Sequence, residues 1–162
     1  MIKTENLKQN SVQELIQEYL QTVQAEIIDL SIKKKQVASG RTLASLEVFA
    51  SEFGGKLMAN ENIYYLEHGR GPTKSGGGGA DSTLLEAITQ WIDDKGLDMN
   101  PYAVTKTIHK YGTRLFRQGG NSGVLSIPLR EDNITLLFEK ITAASLFKIS
   151  SEIYKPINNI KR

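Results

Sequence analysis

Apolar side chains recur at the three-and-four spacing of an amphipathic helix near both ends of the chain, and this repeat constrains the fold more than any other feature. In the first repeat, over residues 11–37, the apolar positions are Val12, Leu15, Ile16, Tyr19, Leu20, Val23, Ile27 and Leu30. Ser11 and Glu14 form a capping box before it, and the cations Lys33-Lys34-Lys35 followed by Ser39-Gly40 indicate its end. The lysine run is therefore interpreted as a solvated helix end.

The second repeat predicts a long final helix that Asp132 or Asn133 caps and Lys155-Pro156 ends. Its apolar positions lie roughly on one face and are Ile134, Leu137, Ile141, Ala144 and Ile149. Two shorter helices are predicted between the long ones. The first follows Asp81 or Ser82 and closes at Lys95-Gly96, and the second runs from Pro101 to Gln118 behind an Asn100 cap.

Short apolar segments from Thr42 to Met58 predict two antiparallel strands, with Gly54-Gly55 at the hairpin turn. Residues 63–66 fit a strand end or a single helical turn. A further edge strand is predicted over Val124–Leu129, where Pro128 limits pairing. The expected fold class is α+β, a small antiparallel sheet or hairpin packed against several amphipathic helices, with long helices at the N- and C-termini.

The chain of 162 residues is long enough for one domain with its own core, so a single domain over residues 1–162 is expected. Six of the sixteen residues from Tyr64 to Gly79 are glycine. Glycine costs more backbone entropy to order than other residues, so such a loop is used where backbone approaches something closely or where a partner supplies the order. Flexible glycine-rich loops are predicted at 69–80 and 118–123.

Composition excludes several classes of function. Cysteine is absent, which removes thiol catalysis and thiolate metal sites, and two histidines cannot alone form a His-rich metal site. The formal net charge of +2 is too small to imply nucleic acid by itself. The expected product is intracellular, because residues 1–8 lack the apolar segment of a secretory signal and no apolar run approaches the roughly 20 residues of a membrane span.

The residues that invite a catalytic interpretation do not complete one. Lys74-Ser75 stands among glycines, but a phosphate-binding loop needs glycine directly before the lysine, and Thr73 occupies that position. Ser122 lacks the strand-to-helix elbow of a hydrolase nucleophile, and neither His68 nor His109 has a carboxylate at a telling spacing. We therefore expect no enzymatic activity and no cofactor.

One charge pattern stands out on the predicted helix from Pro101 to Gln118. Four cations recur there at intervals of four, four and three residues, and we call them the basic ridge: Lys106, Lys110, Arg114 and Arg117. The segment 80–100 is acidic by contrast. These are either the solvated faces of two amphipathic helices, an acidic-to-basic contact between identical subunits, or a lining that DNA phosphates pass.

Four segments together resemble a family of tailed-bacteriophage virion proteins, the head-tail connector or tail-completion proteins, also called virion morphogenesis proteins. The segments are Gly40–Val48, Tyr65–Pro72 (Tyr-Leu-Glu-His-Gly-Arg-Gly-Pro), Ala87–Gly96 (Ala-Ile-Thr-Gln-Trp-Ile-Asp-Asp-Lys-Gly) and Tyr111-Gly112-Thr113. The resemblance covers residues 39–117, about half of the chain, and lies in order and spacing rather than in a catalytic signature.

The resemblance implies a non-enzymatic α+β subunit of a ring between capsid portal and tail, assembled in the host cytoplasm and located in the virion neck. Tail terminator, head-closure adaptor and another collar ring all fit. The implied partners are further copies of the chain, neighbours such as portal, adaptor or tail tube, and passing DNA through non-specific contact; no membrane is implied. The expected assembly loop comprises Tyr65, Glu67, Gly69, Arg70, Gly71 and Pro72. The alternative function is a nucleic-acid-binding module that uses the basic ridge.

Overall fold

The computed structural model describes residues 11–73 and 82–159 of the chain. In chain order the elements are α1 (Val12–Lys33), α2 (Arg41–Ala44), β1 (Glu47–Ser51), β2 (Gly54–Met58), α3 (Asn62–His68), α4 (Ser82–Lys95), α5 (Pro101–Tyr111), α6 (Arg114–Arg117) and α7 (Glu131–Asn159). The fold class is α+β, with a two-stranded antiparallel sheet and long helices near both ends, as predicted. Lys74-Ser75, the glycines at 76–79 and the proposed cap Asp81 lie outside the described residues.

The chain divides into two compact units. Among the described residues, the first unit contains 11–25, 47–58 and 129–159, and the second contains 26–46, 59–73 and 82–128. The first unit holds the hairpin, α7 and the start of α1. The second unit holds the end of α1 and helices α2 to α6, and it contains most of the segments that carry the phage resemblance.

The predicted apolar face of α1 is confirmed, since Ile16, Leu20, Val23 and Ile27 are buried at the expected spacing. The capping box is also confirmed: the backbone N–H of Ser11 donates to Glu14 Oε2 at 2.7 Å, and the N–H of Glu14 donates to Ser11 Oγ at 3.2 Å. Asn100 caps α5 by accepting from two backbone N–H groups, and Gly96 ends α4 with φ +60°.

In the hairpin, Ser51 pairs with Gly54, so the two turn residues are Glu52 and Phe53 and both glycines belong to β2. The predicted Gly54-Gly55 turn is therefore wrong. Gly55 serves a different purpose, because a Cβ atom there would lie 2.6 Å from both Ile16 Cγ2 and Leu20 Cδ1. The absence of a side chain lets β2 approach α1 closely within the first unit.

Two other boundaries differ from the prediction. Residues 41–44, expected to open the first strand, form the short helix α2. The final helix begins at Glu131 and continues past the predicted end at Lys155-Pro156 to Asn159. A proline removes one backbone donor, and α7 tolerates that loss within its last turn.

Candidate functional site

Glu67, a member of the predicted assembly loop, is the best-anchored polar side chain of the second unit. It lies near the end of α3 and is 3% exposed. Its carboxylate accepts from the backbone N–H groups of Leu125 at 2.8 Å and Gly123 at 3.2 Å, and from the hydroxyls of Ser126 at 2.8 Å and Ser122 at 3.1 Å. The carbonyl of Glu67 also accepts from the N–H of Ser122 at 2.9 Å. One acidic side chain thus fixes the turn 122–126 against α3.

The electrostatics of this anchor favour the charged carboxylate. Burial raises the pKa of Glu67, but hydrogen bonds from the Leu125 N–H, the Ser126 and Ser122 hydroxyls and the Gly123 N–H together lower it more, so the pKa is below its ordinary value. Four donors around one buried carboxylate leave no position for an attacking water or a substrate proton. The arrangement is that of a structural anchor.

The same hydrogen bonds explain why the predicted strand over Val124–Leu129 does not form. Those residues make consecutive turns, because the backbone N–H groups of Gly123 and Leu125 donate to Glu67 instead of to a neighbouring strand. Val124 and Pro128 are buried and supply the apolar side of the turn. Residues 118–123, predicted to be a flexible loop, are likewise bonded to α3: the ring Nδ1 of His68 donates to the carbonyl of Gly120 at 2.8 Å.

The segment 69–73, the described part of the other predicted loop, runs along residues 109–113. The N–H of Arg70 donates to Thr113 Oγ1 at 3.0 Å, and the N–H of Thr113 returns a bond to the carbonyl of Arg70 at 2.8 Å. Farther along, the N–H of Thr73 donates to the carbonyl of His109 at 3.0 Å. The Tyr65–Pro72 and Tyr111–Thr113 motifs, separated in sequence, therefore contact each other directly.

Glycine is required at this crossing for steric reasons. Gly69 has φ +69°, and a Cβ atom there would lie 2.5 Å from Thr113 Oγ1 and 2.6 Å from the backbone nitrogen of Phe116. Gly112 has φ +75°, and its Cβ would lie 2.8 Å from the carbonyl oxygen of Arg70. At Gly69 and Gly112, glycine is therefore needed because two stretches of backbone approach each other closely.

The basic ridge does not lie on one continuous helix, so that prediction is wrong. Gly112 ends α5, and Thr113 caps the separate helix α6 by accepting from the N–H of Phe116. Lys106 and Lys110 therefore belong to α5, whereas Arg114 and Arg117 belong to α6. All four side chains are exposed. The exposed cations remain available for contact, but the four-four-three spacing no longer defines a single helical face.

A partly enclosed cavity of about 220 Å³ lies in the second unit, and three of the four resemblance segments contribute to it. We call it the aromatic cavity; its lining includes Gln36, Leu43, Asn62, Tyr65, Leu66 and Trp91. Gln36 Nε2 donates to the carbonyl of Leu66 at 3.0 Å, whereas its Oε1 atom is buried and has no hydrogen-bond partner in the part of the chain that the structure describes. An unpaired buried acceptor is unusual and costs stability.

Three cations are neighbours of residues that line this cavity. Lys35 directly precedes Gln36 and has the left-handed backbone conformation, with φ +57°, at the end of α1. Lys95 lies one helical turn after Trp91, and its ammonium donates to the carbonyl of Lys35 at 3.1 Å. Arg41 approaches Asp94 at 3.5 Å. Lys35 occupies a left-handed position after a helix that is usually glycine, and it was not singled out from the sequence.

The first unit differs because it leaves large apolar side chains uncovered. Phe53 in the hairpin turn is 99% exposed, and on α7 Phe138, Leu146 and Phe147 are each more than 60% exposed. No side chain of α7 described by the structure is fully buried, although Leu137 and Ile141 are half-buried and line a groove of about 400 Å³ with α1 and the hairpin. Phe138, Leu146 and Phe147 lie off the predicted apolar stripe, so the sequence contained the signal that α7 is apolar on several sides. Ile134 and Ile149 on the stripe itself are exposed as well.

Over residues 11–73 and 82–159, no cluster of three or more metal-ligating side chains is present. No helix within those residues is long and apolar enough to cross a bilayer. Neither a scan of protein-family models nor searches of curated proteins and of solved structures finds a match for this chain.

Proposed function

We propose that the chain is a structural virion protein of a tailed bacteriophage, a non-enzymatic ring subunit of the neck of the tail-completion or tail-terminator type. The observation that carries the proposal is the uncovered apolar surface of α7, where Phe138, Leu146 and Phe147 face solvent in the isolated chain. A helix that is apolar on several sides is stable in water only when another surface covers it. The chain therefore has the character of a subunit rather than of an independent protein.

The resemblance of four sequence segments supports the phage class. In the second unit Gly69, in the Tyr65–Pro72 segment, packs against Thr113, and Trp91 and Tyr65 line one cavity. Segments that pack together in one small framework are expected to occur together and in a fixed order, even when the connecting loops vary. This internal consistency favours reading the four segments as one motif set.

A phage or prophage that carries the gene provides the test. A stop codon early in the gene should leave DNA-filled or DNA-leaking heads and separate tails in the lysate, visible by negative-stain electron microscopy, and plasmid-borne protein should restore joined particles. Intact infectious virions without the protein would refute the proposal. Antibody labelling at the head-tail junction of wild-type virions separates a neck component from a protein that only assists assembly.

A further inference from the structure

The turn of the hairpin presents an aromatic side chain to solvent. Glu52 and Phe53 form this two-residue turn, which we call the tip, and Phe53 is 99% exposed. A phenyl ring gains nothing from such exposure, and aromatic residues that fill a pocket on a partner dominate many interfaces. The tip therefore has the shape and chemistry of an anchor for another molecule.

The aromatic cavity has the size to receive that ring. A cavity of about 150 Å³ holds a benzene molecule, and this one measures about 220 Å³. Tyr65 and Trp91 line it and offer ring faces and edges to a phenyl group.

The charges of the tip and of the cavity border are complementary. Glu52 is exposed beside Phe53, whereas Lys35 directly precedes the lining residue Gln36 and the Lys95 ammonium lies 3.1 Å from the carbonyl of Lys35. Among the described residues, neither Lys35 nor Lys95 has a carboxylate within 4.0 Å. A tip with one carboxylate beside one phenyl group matches this border.

We propose that the tip of one copy inserts into the aromatic cavity of a second copy, with Phe53 against Tyr65 and Trp91 and with Glu52 facing Lys35 and Lys95. The inference rests on the proposed function in one respect, namely that copies of the chain meet one another. The two surfaces are different, so the contact is heterologous, and repetition of a heterologous contact closes a ring when the rotation allows it.

The absence of cysteine from the chain makes disulfide trapping a clean test. The double variant Glu52→Cys with Asn62→Cys keeps Phe53 and places one thiol at the tip and one in the cavity lining. Under mild oxidation of the purified chain we expect a ladder of disulfide-linked dimers, trimers and higher species on a non-reducing gel. The control, Glu52→Cys with Thr107→Cys, puts the second thiol on exposed α5 and should give no ladder.

Other products of the same reaction would overturn the proposal. A disulfide within one chain, linked dimers that extend no further because two Glu52→Cys positions join, or no product would each do so. A ladder of equal yield in the Thr107→Cys control would also do so, since it would reflect random collision.

Shape and charge variants give a second measurement, the trapping rate. Phe53→Ala added to the Glu52→Cys with Asn62→Cys pair should slow trapping on the order of thirtyfold, as for loss of an interface anchor. The charge test needs Glu52 and therefore uses the Phe53→Cys with Asn62→Cys pair, which traps more slowly because the anchor is absent. Relative to that slower rate, Glu52→Lys should slow trapping about two- to fivefold, Lys95→Glu should restore it, and the control Glu47→Lys should leave it unchanged. Equal effects of Glu52→Lys and Glu47→Lys would contradict the pairing.

The failure of this inference and that of the proposed function are distinguishable. A ladder that depends on Phe53, together with normal virions in the absence of the gene, would keep the copy-to-copy contact and remove the neck function. Defective virions without a ladder would keep the neck function and remove this contact.

Discussion

The second unit and α7 differ from their predictions in opposite ways: the second unit satisfies its polar groups within the chain, whereas α7 leaves apolar side chains exposed. The glycine-rich and polar residues around Glu67 were expected to await a partner, yet Gly123, Leu125, Ser122 and Ser126 satisfy the carboxylate within the chain. The apolar residues of α7 were expected to lie on one face, yet large ones are exposed on others. Glycine content alone therefore does not identify an assembly element, because glycine also permits close backbone packing.

The largest expected effect is the loss of the Glu67 anchor. Glu67→Ala should lower the free energy of unfolding by about 3–5 kcal/mol, since the N–H groups of Gly123 and Leu125 lose their acceptor in a buried place. Urea denaturation followed by circular dichroism measures it. The control Glu61→Ala, which removes an exposed carboxylate just before the same helix, should cost less than about 0.5 kcal/mol. A loss below about 1 kcal/mol for Glu67→Ala would show that the anchor is dispensable.

The next prediction separates two costs of replacing a glycine, the steric clash of an added Cβ atom and the strain of a positive φ angle. Gly69→Ala should cost about 2–4 kcal/mol, because its Cβ would lie 2.6 Å from the backbone nitrogen of Phe116 in addition to the strain at φ +69°. Gly96→Ala is the matched control, with a similar φ of +60° and no atom within 4 Å of the added Cβ, and should cost about 1 kcal/mol. The same urea measurement applies, and equal costs would mean that the crossing of residues 69–73 with 109–116 is loosely packed.

A smaller effect is the loss at acid pH of the stability that Glu67 contributes. The folded pKa of Glu67 lies below the ordinary value of 4.5, so its contribution to stability is fully present above pH 4.5 and is lost as pH falls through the folded pKa. The difference in unfolding free energy between the wild type and Glu67→Gln should therefore be constant from pH 7 to about pH 5 and shrink below pH 4.5. A difference that grows on acidification would reverse the sign of the pKa shift and contradict the hydrogen-bond account.

Local rules predicted several helix ends. The capping box at Ser11, the Asn100 cap and the Gly96 stop each depend on residues near in sequence, and each is present. The α+β class followed from the same periodicity. These features could be predicted because a helix satisfies its own backbone and needs little knowledge of distant residues.

Long-range contacts explain what the sequence did not reveal. Glu67 and Leu125 are 58 residues apart, and only their contact turns an apolar run into consecutive turns rather than a strand. The break of the basic ridge at Gly112 depends on Arg70, whose carbonyl leaves no room for a Cβ there. The motif Tyr65–Pro72 is predicted to contact partners, and within the chain its Glu67 and Gly69 are buried in packing that sequence spacing does not show.

The smallest effect on folding is expected on α7. Changing Leu146 and Phe147 together to serine should alter the free energy of unfolding by no more than about 0.5 kcal/mol, because both side chains are already exposed. The same variant should fail to join heads to tails in complementation, because the covering surface of the partner loses its apolar counterpart. The matched control changes the exposed Glu139 and Lys140 of the same helix to serine and should complement normally. Destabilisation by several kcal/mol would instead place Leu146 and Phe147 in the chain's own core, and the distinction between a self-satisfied second unit and an uncovered α7 would no longer hold.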